Sequence, residues 1–347
     1  MKASIAICTL NRAADLKEAL LSLLRQSYPD LYEVIVVDNG STDETRQVVE
    51  EYGKLVSIPV RYVYEERLGL SVARNRAIRE ASGEYVLFLD DDAIASEHWI
   101  AEIVALFERN PRIGCVGGKI EPLWEGVPCD EADNRATKSS RNVQSQEAMP
   151  GMAVRLHGEG SACSAAGAIA QRGGKLSAGE PPWLPQENRS LYTILDYADD
   201  VVEMRAPDVP FGANIAFRKS IFDTVGPFRE DLGRKGSNLL SSEESELVER
   251  IRTRYGVYYT PHAVVLHKIP RSRMNRRWLL RRIYWQGVSR AVSSRQKAGL
   301  FVLSLLKVPV FLLLSIVFIY DKRRIFRNFS KVVYNNGLIR GVLRAFP

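Results

Sequence analysis

The segment Tyr85-Val-Leu-Phe-Leu-Asp-Asp-Asp92 carries a continuously apolar run straight into three adjacent carboxylates. Val86 to Leu89 show no polar alternation, which suits a parallel strand covered on both faces and commits the chain to helices on both sides of a sheet. In open α/β sheets, ligands gather beyond the carboxyl ends of the strands. Three acids placed there repel one another unless a cation compensates. Mg2+ or Mn2+ held by one or two carboxylates commonly completes its oxygen shell with substrate phosphate. For Asp-Asp-Asp taken alone, the alternative is an acidic loop with no ligand.

The preceding residues supply the rest of such a sheet. Ser4-Ile-Ala-Ile-Cys8 reads as a first strand, and Leu16, Ala19, Leu20, Leu23 and Leu24 recur at helical spacing until Ser27-Tyr28-Pro29. Glu33-Val-Ile-Val-Val-Asp38 is a second apolar strand that also ends in a carboxylate. Ser41 and Glu44 are spaced as a capping box for a helix carrying Val48 and Val49. A third strand over Val60 to Tyr64 and a helix from about Ser71 to Glu80 lead into the acidic strand. This alternation implies βαβ units and a mostly parallel, Rossmann-like sheet. Short loops at one edge then present Thr9, Asn11, Arg12, Asp38, Asn39, Ser41 and Asp90 to Asp92 together.

Dinucleotide chemistry fits poorly. The first loop, Cys8-Thr-Leu-Asn-Arg12, lacks the glycines a pyrophosphate-binding turn needs, and no Gly-x-x-x-x-Gly-Lys loop occurs. Cys8-Thr-Leu-Asn-Arg12, Val37-Asp-Asn-Gly-Ser-Thr-Asp43, Gly69-Leu-Ser-Val-Ala-Arg-Asn75 and Phe88-Leu-Asp-Asp-Asp92 together resemble the successive donor-site motifs of glycosyltransferase family 2, which has the GT-A fold. The likeness continues in Pro210-Phe-Gly-Ala-Asn-Ile-Ala-Phe-Arg218, Val225-Gly-Pro-Phe228, Ser242-Glu-Glu-Ser-Glu-Leu247, His267-Lys-Ile-Pro270 and Tyr284-Trp-Gln-Gly287. It covers roughly two thirds of the chain. Ile194-Leu-Asp-Tyr197, Leu232-Gly-Arg-Lys235 and the apolar C-terminal segment look most like membrane-associated polysaccharide-biosynthesis enzymes of the cyanobacterial hormogonium type.

The resemblance implies an inverting, metal-dependent transfer from a nucleotide-diphosphate sugar, UDP- or dTDP-linked, to a glycan or lipid-linked acceptor. On it, Asp38 accepts a hydrogen bond from the base, and Thr9, Asn11, Arg12 and Asn39 belong to the nucleotide-sugar site. Asp92 is the direct Mn2+ or Mg2+ ligand. Asp90 or Asp91 serves the ribose and the outer shell, with Asp90 a second candidate ligand and His267 a third. Arg74 pairs with the acids, contacts the donor, or is a surface helix arginine. Glu244, or else Glu243, is the general base. The family often has Glu-Asp there, and the longer second side chain leaves the choice between the two open. Two acids favouring a helix N-terminus are the plain alternative. His98, His157 and His262 have no comparable context, and Trp124, Trp183 and Trp285 carry no site assignment.

The net charge of +7 is uneven. Lys268 to Arg295 is rich in Arg, including Arg271, Arg273, Arg276, Arg277, Arg281 and Arg282, with Trp278, Tyr284 and Trp285 among them. Such stretches can bind nucleic acid. Here an apolar segment, Gly299 to Tyr320, follows and Lys322-Arg-Arg324 closes it, so anionic lipid explains the pattern more economically and no nucleic-acid partner is expected. The segment suits a span of roughly 30 Å. Its 16 Leu, Ile, Val and Phe residues contribute about −5 to −10 kcal/mol on an insertion scale, against at most about 3.5 for Lys307. Pro309 predicts a kink, and both flanks are basic, so crossing and returning stay open. Cys8, Cys115, Cys129 and Cys163 show no paired spacing, as expected of a reduced, cytoplasmic-side protein. A strand begins at once, with no leader expected before it.

Four regions follow: 1–128, the nucleotide-sugar half; 129–180, a mobile and dispensable insertion rich in Ala, Ser, Gly, Arg and Gln; 181–270, the acceptor half; and 271–347, basic, helical and membrane-associating. The expected location is the cytoplasmic membrane face, anchored by 299–320. The rival functions are a sugar nucleotidyltransferase and a non-catalytic membrane adaptor on a degenerate transferase fold.

Overall fold

A computed structural model describes residues 1–125, 179–236, 238–294 and 296–344. Nearly all of the 129–180 insertion lies outside them. The first half alternates β1 (Ala3–Thr9), α1 (Ala13–Leu23), β2 (Tyr32–Asp38), α2 (Thr45–Gly53), β3 (Val60–Tyr64), α3 (Leu70–Glu80) and β4 (Tyr85–Leu89). Next come β5 (Ala93–Ala95), α4 (Trp99–Arg109) and β6 (Ile113–Trp124). The second half holds β7 (Val202–Glu203), β8 (Asn214–Arg218), α5 (Phe222–Val225), α6 (Glu243–Ile251) and β9 (Gly256–Ile269). Three helices close the chain: α7 (Arg276–Ser293), α8 (Lys297–Val317) and α9 (Lys322–Arg344).

Both faces of the sheet are buried, as the apolar runs require. On one face Ile5, Ile7, Val34, Val36 and Leu87 meet Leu16 and Leu20 of α1 and Trp99 and Phe107 of α4. On the other, Ala6, Ile35, Val37, Val86 and Phe88 meet Ala73 and Ile78 of α3 and Leu247 and Ile251 of α6. Truncating one of these, such as Leu87→Ala, costs about 2–5 kcal/mol. Leu24, expected on the buried face of α1, lies past the helix end and is exposed.

The strand order is β3-β2-β1-β4-β8-β6-β9-β5, with β7 on β9. The parallel prediction holds for β3, β2, β1 and β4. The second half is mixed: β8 runs antiparallel to β4 and β6, and β9 runs parallel to β6 but antiparallel to β5 and β7. Asn214 holds this half together where the β6–β9 register slips at Gly118/Lys119. Its amide donates to Ala263 O and Lys119 O and accepts from Trp99 Nε1.

The Ser41–Glu44 capping box does not form. Asp43 takes its place, accepting from the Thr45 N–H and hydroxyl, while Ser41 Oγ accepts from the Asn11 N–H. Glu180, at the end of the expected insertion, is buried against Arg189 Nη2 at 3.1 Å.

Candidate functional site

Strand ends bring the acids together. Asp90 to Asp92 follow β4, and antiparallel pairing of β5 with β9 sets His267 opposite Ala93, beside the triplet. His267 Nε2 lies 3.3 Å from Asp92 Oδ1. Arg12 Nη1 donates to Asp92 Oδ2 at 2.6 Å and Asp91 Oδ1 at 3.3 Å, and Thr9 Oγ1 donates to Asp91 Oδ2 at 2.8 Å. Arg273 Nη2 approaches Asp92 at 3.7 Å. Burial pushes the Asp92 carboxyl up, but His267, Arg12 and Arg273 together overcome it and hold Asp92 well below the usual carboxylate range. Burial pushes Asp91 up to about 7, against the pull of Arg12. Asp90 is also raised by burial, only partly offset by Arg74.

Arg74 is not a surface arginine. Its side chain is 2 % exposed, and Nη1 donates to Glu244 Oε1 at 2.8 Å and Glu243 Oε1 at 3.1 Å while Nη2 lies 3.7 Å from Asp90. The guanidinium also rests on the rings of Phe88 and Phe228. Arg74 thus ties α3, the triplet and the first turn of α6 into one network. Two carboxylates cannot both stay charged on one buried cation. Burial and the neighbouring Glu244 raise Glu243 to about 8. Glu244 is pushed up by burial too, but Arg74 reverses this and leaves it below the ordinary value. The shared arginine therefore favours the charged form of Glu244, and burial favours the protonated form of Glu243. Gly212 must lack a side chain here, since a Cβ would lie 1.9 Å from Arg74 Nη2 and 2.5 Å from Glu244 Oε1.

These groups line one cavity of about 320 Å³. Of the residues expected at the site, Thr9, Arg12, Asn39, Arg74, Asp90, Asp91, Asp92, Glu243, Glu244 and His267 face it. Asn11 and Asp38 do not. Asp38 is buried, its oxygens accepting from the Ser41 N–H at 2.8 Å and the Tyr62 hydroxyl at 2.7 Å, and Asn11 Oδ1 accepts from Thr42. Trp124, Trp183 and Trp285 do not line the cavity, and Trp124 is core. Cys8 does line it, but burial pushes its thiol up to about 12, so it is no nucleophile at neutral pH. Of the described non-glycine residues with left-handed backbone, Asn11, Thr193 and Ser242, the last two line this space.

The basic wall was missed by sequence reasoning. Arg234 and Arg282 line the cavity, and burial together with Arg234 lowers Arg282 to about 10. The sequence pattern groups Arg273 and Arg282 with a lipid-facing stretch. α7 in fact splits that stretch, turning Arg282 inward, where Nη1 donates to Leu239 O, and leaving Arg276, Arg277 and Arg281 exposed. The signal was available: Leu279, Arg282, Ile283 and Gln286 share one helical face.

For a divalent ion, the fitting donors are Asp92 and His267, whose buried Nδ1 has no partner. Asp90 turns instead to Arg74. Among the described residues no group of three or more His, Cys, Asp or Glu is spaced to hold a metal. A two-donor set fits an ion that takes its remaining oxygens from substrate phosphate; an all-protein cage does not fit.

Residues 4–157 match the sequence profile of Glycosyl transferase family 2. The chain is 27% identical over 298 residues to a glucosyl-dolichyl phosphate glucuronosyltransferase of Haloferax volcanii, covering 84% of this chain and 77% of that protein. It is 30% identical over 232 residues to a validoxylamine A glucosyltransferase of Streptomyces hygroscopicus subsp. limoneus, covering 66% of this chain and 44% of the relative. Its fold resembles a mannosyltransferase of Pyrobaculum calidifontis solved with GDP-Man and Mn2+, at TM-score 0.56 and 17% identity, covering 100% and 88% of the two chains. The narrower likeness to hormogonium-polysaccharide enzymes rests on sequence motifs alone.

Proposed function

The chain carries a glycosyltransferase family 2 domain on a GT-A-like sheet, and from that premise we propose that it moves a sugar from a nucleotide-diphosphate donor to a glycan or lipid-linked acceptor by a single, inverting displacement. The observation that carries this reading is the facing of an ionised Glu244 and the Asp90–Asp92 triplet across one cavity, with Arg74 fixed between them. Glu244 takes the proton of an acceptor hydroxyl as its oxygen attacks the anomeric carbon. Arg74 orients that carboxylate, and protonated Glu243 keeps a second charge from competing for the arginine. Arg234 and Arg282 face the space with positive charge suited to the donor diphosphate. Thr9 and Arg12 hold Asp91 and Asp92 in place. Asp38, oriented by Tyr62 and the Ser41 N–H, would offer its remaining lone pairs to a base N–H.

Asp92 and His267 would hold Mn2+ or Mg2+. When bound, the ion neutralises the departing diphosphate. The Pyrobaculum neighbour was solved with Mn2+, which supports this assignment, and the Haloferax relative, named for a sugar on dolichyl phosphate, supports a lipid-linked acceptor. The exposed α8, with an 18-residue stretch of mean hydropathy 2.6, supports work at a membrane.

The test is a panel of UDP-, dTDP- and GDP-sugars given to purified protein with Mn2+, Mg2+ or chelator. The reading expects one donor to be hydrolysed or transferred with release of nucleoside diphosphate, only with metal. Pyrophosphate as product would identify a sugar nucleotidyltransferase. No turnover of any donor, with wild-type polymer production by Glu244→Gln in cells, would identify an adaptor.

A further inference from the structure

α8 is long and poorly covered. Of its 21 residues only Ser304 is buried, and Leu306, Leu313 and Ile316 are each more than 60 % exposed. The residues that do meet protein form one stripe against α9. Phe301 packs on the cluster of Leu338 and Val342 near the end of α9. Phe311 lies under Lys331 Nζ at 5.0 Å, and Phe318 under the Arg324 guanidinium at 4.8 Å near the start of α9. The two helices therefore run antiparallel and in contact along their length.

α9 is fixed in turn. A Cβ on Gly337 would lie 2.0 Å from Tyr284 O, and one on Gly287 2.1 Å from Tyr334 O, so the backbones of α7 and α9 touch. α7 joins the catalytic part through Leu279 and Ile283, which pack with Trp124 and Ile269. Leaving this arrangement to cross a bilayer would carry Arg324, Arg327 and Lys331 of α9 into hydrocarbon beside α8, or strip α8 from its stripe. Residues 268–347 hold 18 Lys and Arg and a single acid, Asp321, which already serves Arg324. Charges at that depth are paired or face water, and among the described residues Arg327 and Lys331 of α9 pair with no acid.

We propose that α8 does not span but lies in the plane of an anionic bilayer. Its leucine face enters the acyl boundary while the basic residues of α7 and α9 sit among the headgroups. The polar side that an isolated interfacial helix would need is supplied by the protein itself. The three helices then form a one-sided platform that holds the cavity at a fixed height above the lipid. The proposal rests on the membrane reading above and not on the transferase chemistry.

The experiment uses the full chain on phosphatidylcholine vesicles with and without phosphatidylglycerol. A nitroxide-bearing amino acid replaces Leu303, Leu306, Leu313 or Ile316 in turn, and depth is read by power saturation. All four labels should lie at one shallow depth, about 5–10 Å into the headgroup boundary, and phosphatidylglycerol should tighten binding at least about tenfold. A profile that descends to the bilayer centre at Leu306 or Leu313 overturns the proposal in favour of a span. Labels that stay in water on both vesicles also overturn it and mean that protein covers this face. Equal affinity for both vesicles overturns the anionic headgroup contact. Donor hydrolysis by the same proteins separates failures: activity with a failed profile sinks the platform alone, and the expected profile without activity sinks the transferase reading alone.

Discussion

Two groups of buried acids face each other across the cavity, and they lose their mutual repulsion by different means. In the triplet, cations compensate Asp92, on which Arg12 and Arg273 converge beside His267 Nε2, while burial raises Asp91 to about 7 and raises Asp90 despite Arg74. The glutamate pair has one cation, Arg74, and makes up the difference with a proton on Glu243. A group balanced by cations is built to hold charge in place. A group balanced by a proton leaves one charged carboxylate, Glu244, with an oxygen beyond the one held by Arg74 to take up another. On the proposed function, the difference suits the diphosphate to one wall and the acceptor hydroxyl to the other.

The largest effect that would break this contrast is on turnover. Glu244→Gln should lower transfer about 10²–10⁴-fold, the range of a lost general base, with donor affinity unchanged by calorimetry; weakened donor binding would move Glu244 to the donor wall. Asp92→Asn should show the opposite balance. It leaves Arg273 and Arg12 without their shared carboxylate, so denaturant unfolding should reveal a loss of about 3–5 kcal/mol, together with weaker donor binding. Gly212→Ala forces Arg74 and Glu244 apart. A stability loss of about 1–3 kcal/mol is expected from overpacking, with transfer reduced more than donor hydrolysis.

The smallest effect sharpens the comparison most. Glu243→Gln mimics the protonated acid and should keep transfer within a few-fold of the parent. Its signature is in pH. Between the ordinary value of 4.5 and about 8, the folded parent retains a proton that the unfolded chain has lost. That contribution to stability is complete below 4.5 and disappears as pH rises through about 8, at no more than about 1.4 kcal/mol per pH unit. Glutamine cannot titrate, so melting of the variant should be flatter across this window. An unchanged pH slope would remove the proton from Glu243.

What could be read from the sequence follows the same divide. Asp90 to Asp92, Thr9 and Arg12 were legible because short loops follow buried strands whose apolar runs mark their own ends. Helix α6 was legible from Leu247, Val248 and Ile251, all fully buried. The inward turn of Arg282 was not, because a basic helix next to an apolar one has two plausible faces and only packing of Leu279 and Ile283 decides between them. The burial of Arg74 was equally hidden, since its partners Glu243 and Glu244 lie about 170 residues away in sequence. The antiparallel half of the sheet was missed because Asn214 joins strands separated by long stretches of chain, a pairing with no local signature.

The account stands most directly on where the proton of the glutamate pair resides. Infrared difference spectra of protein labelled with 13C-glutamate, recorded through neutral pH, report protonated glutamic acid by its carbonyl band. The account predicts one such band that is lost in Glu243→Gln and weakened in Glu244→Gln, where Arg74 is left to Glu243 alone. A band that survives Glu243→Gln would place the proton on the residue assigned as base, and would contradict it.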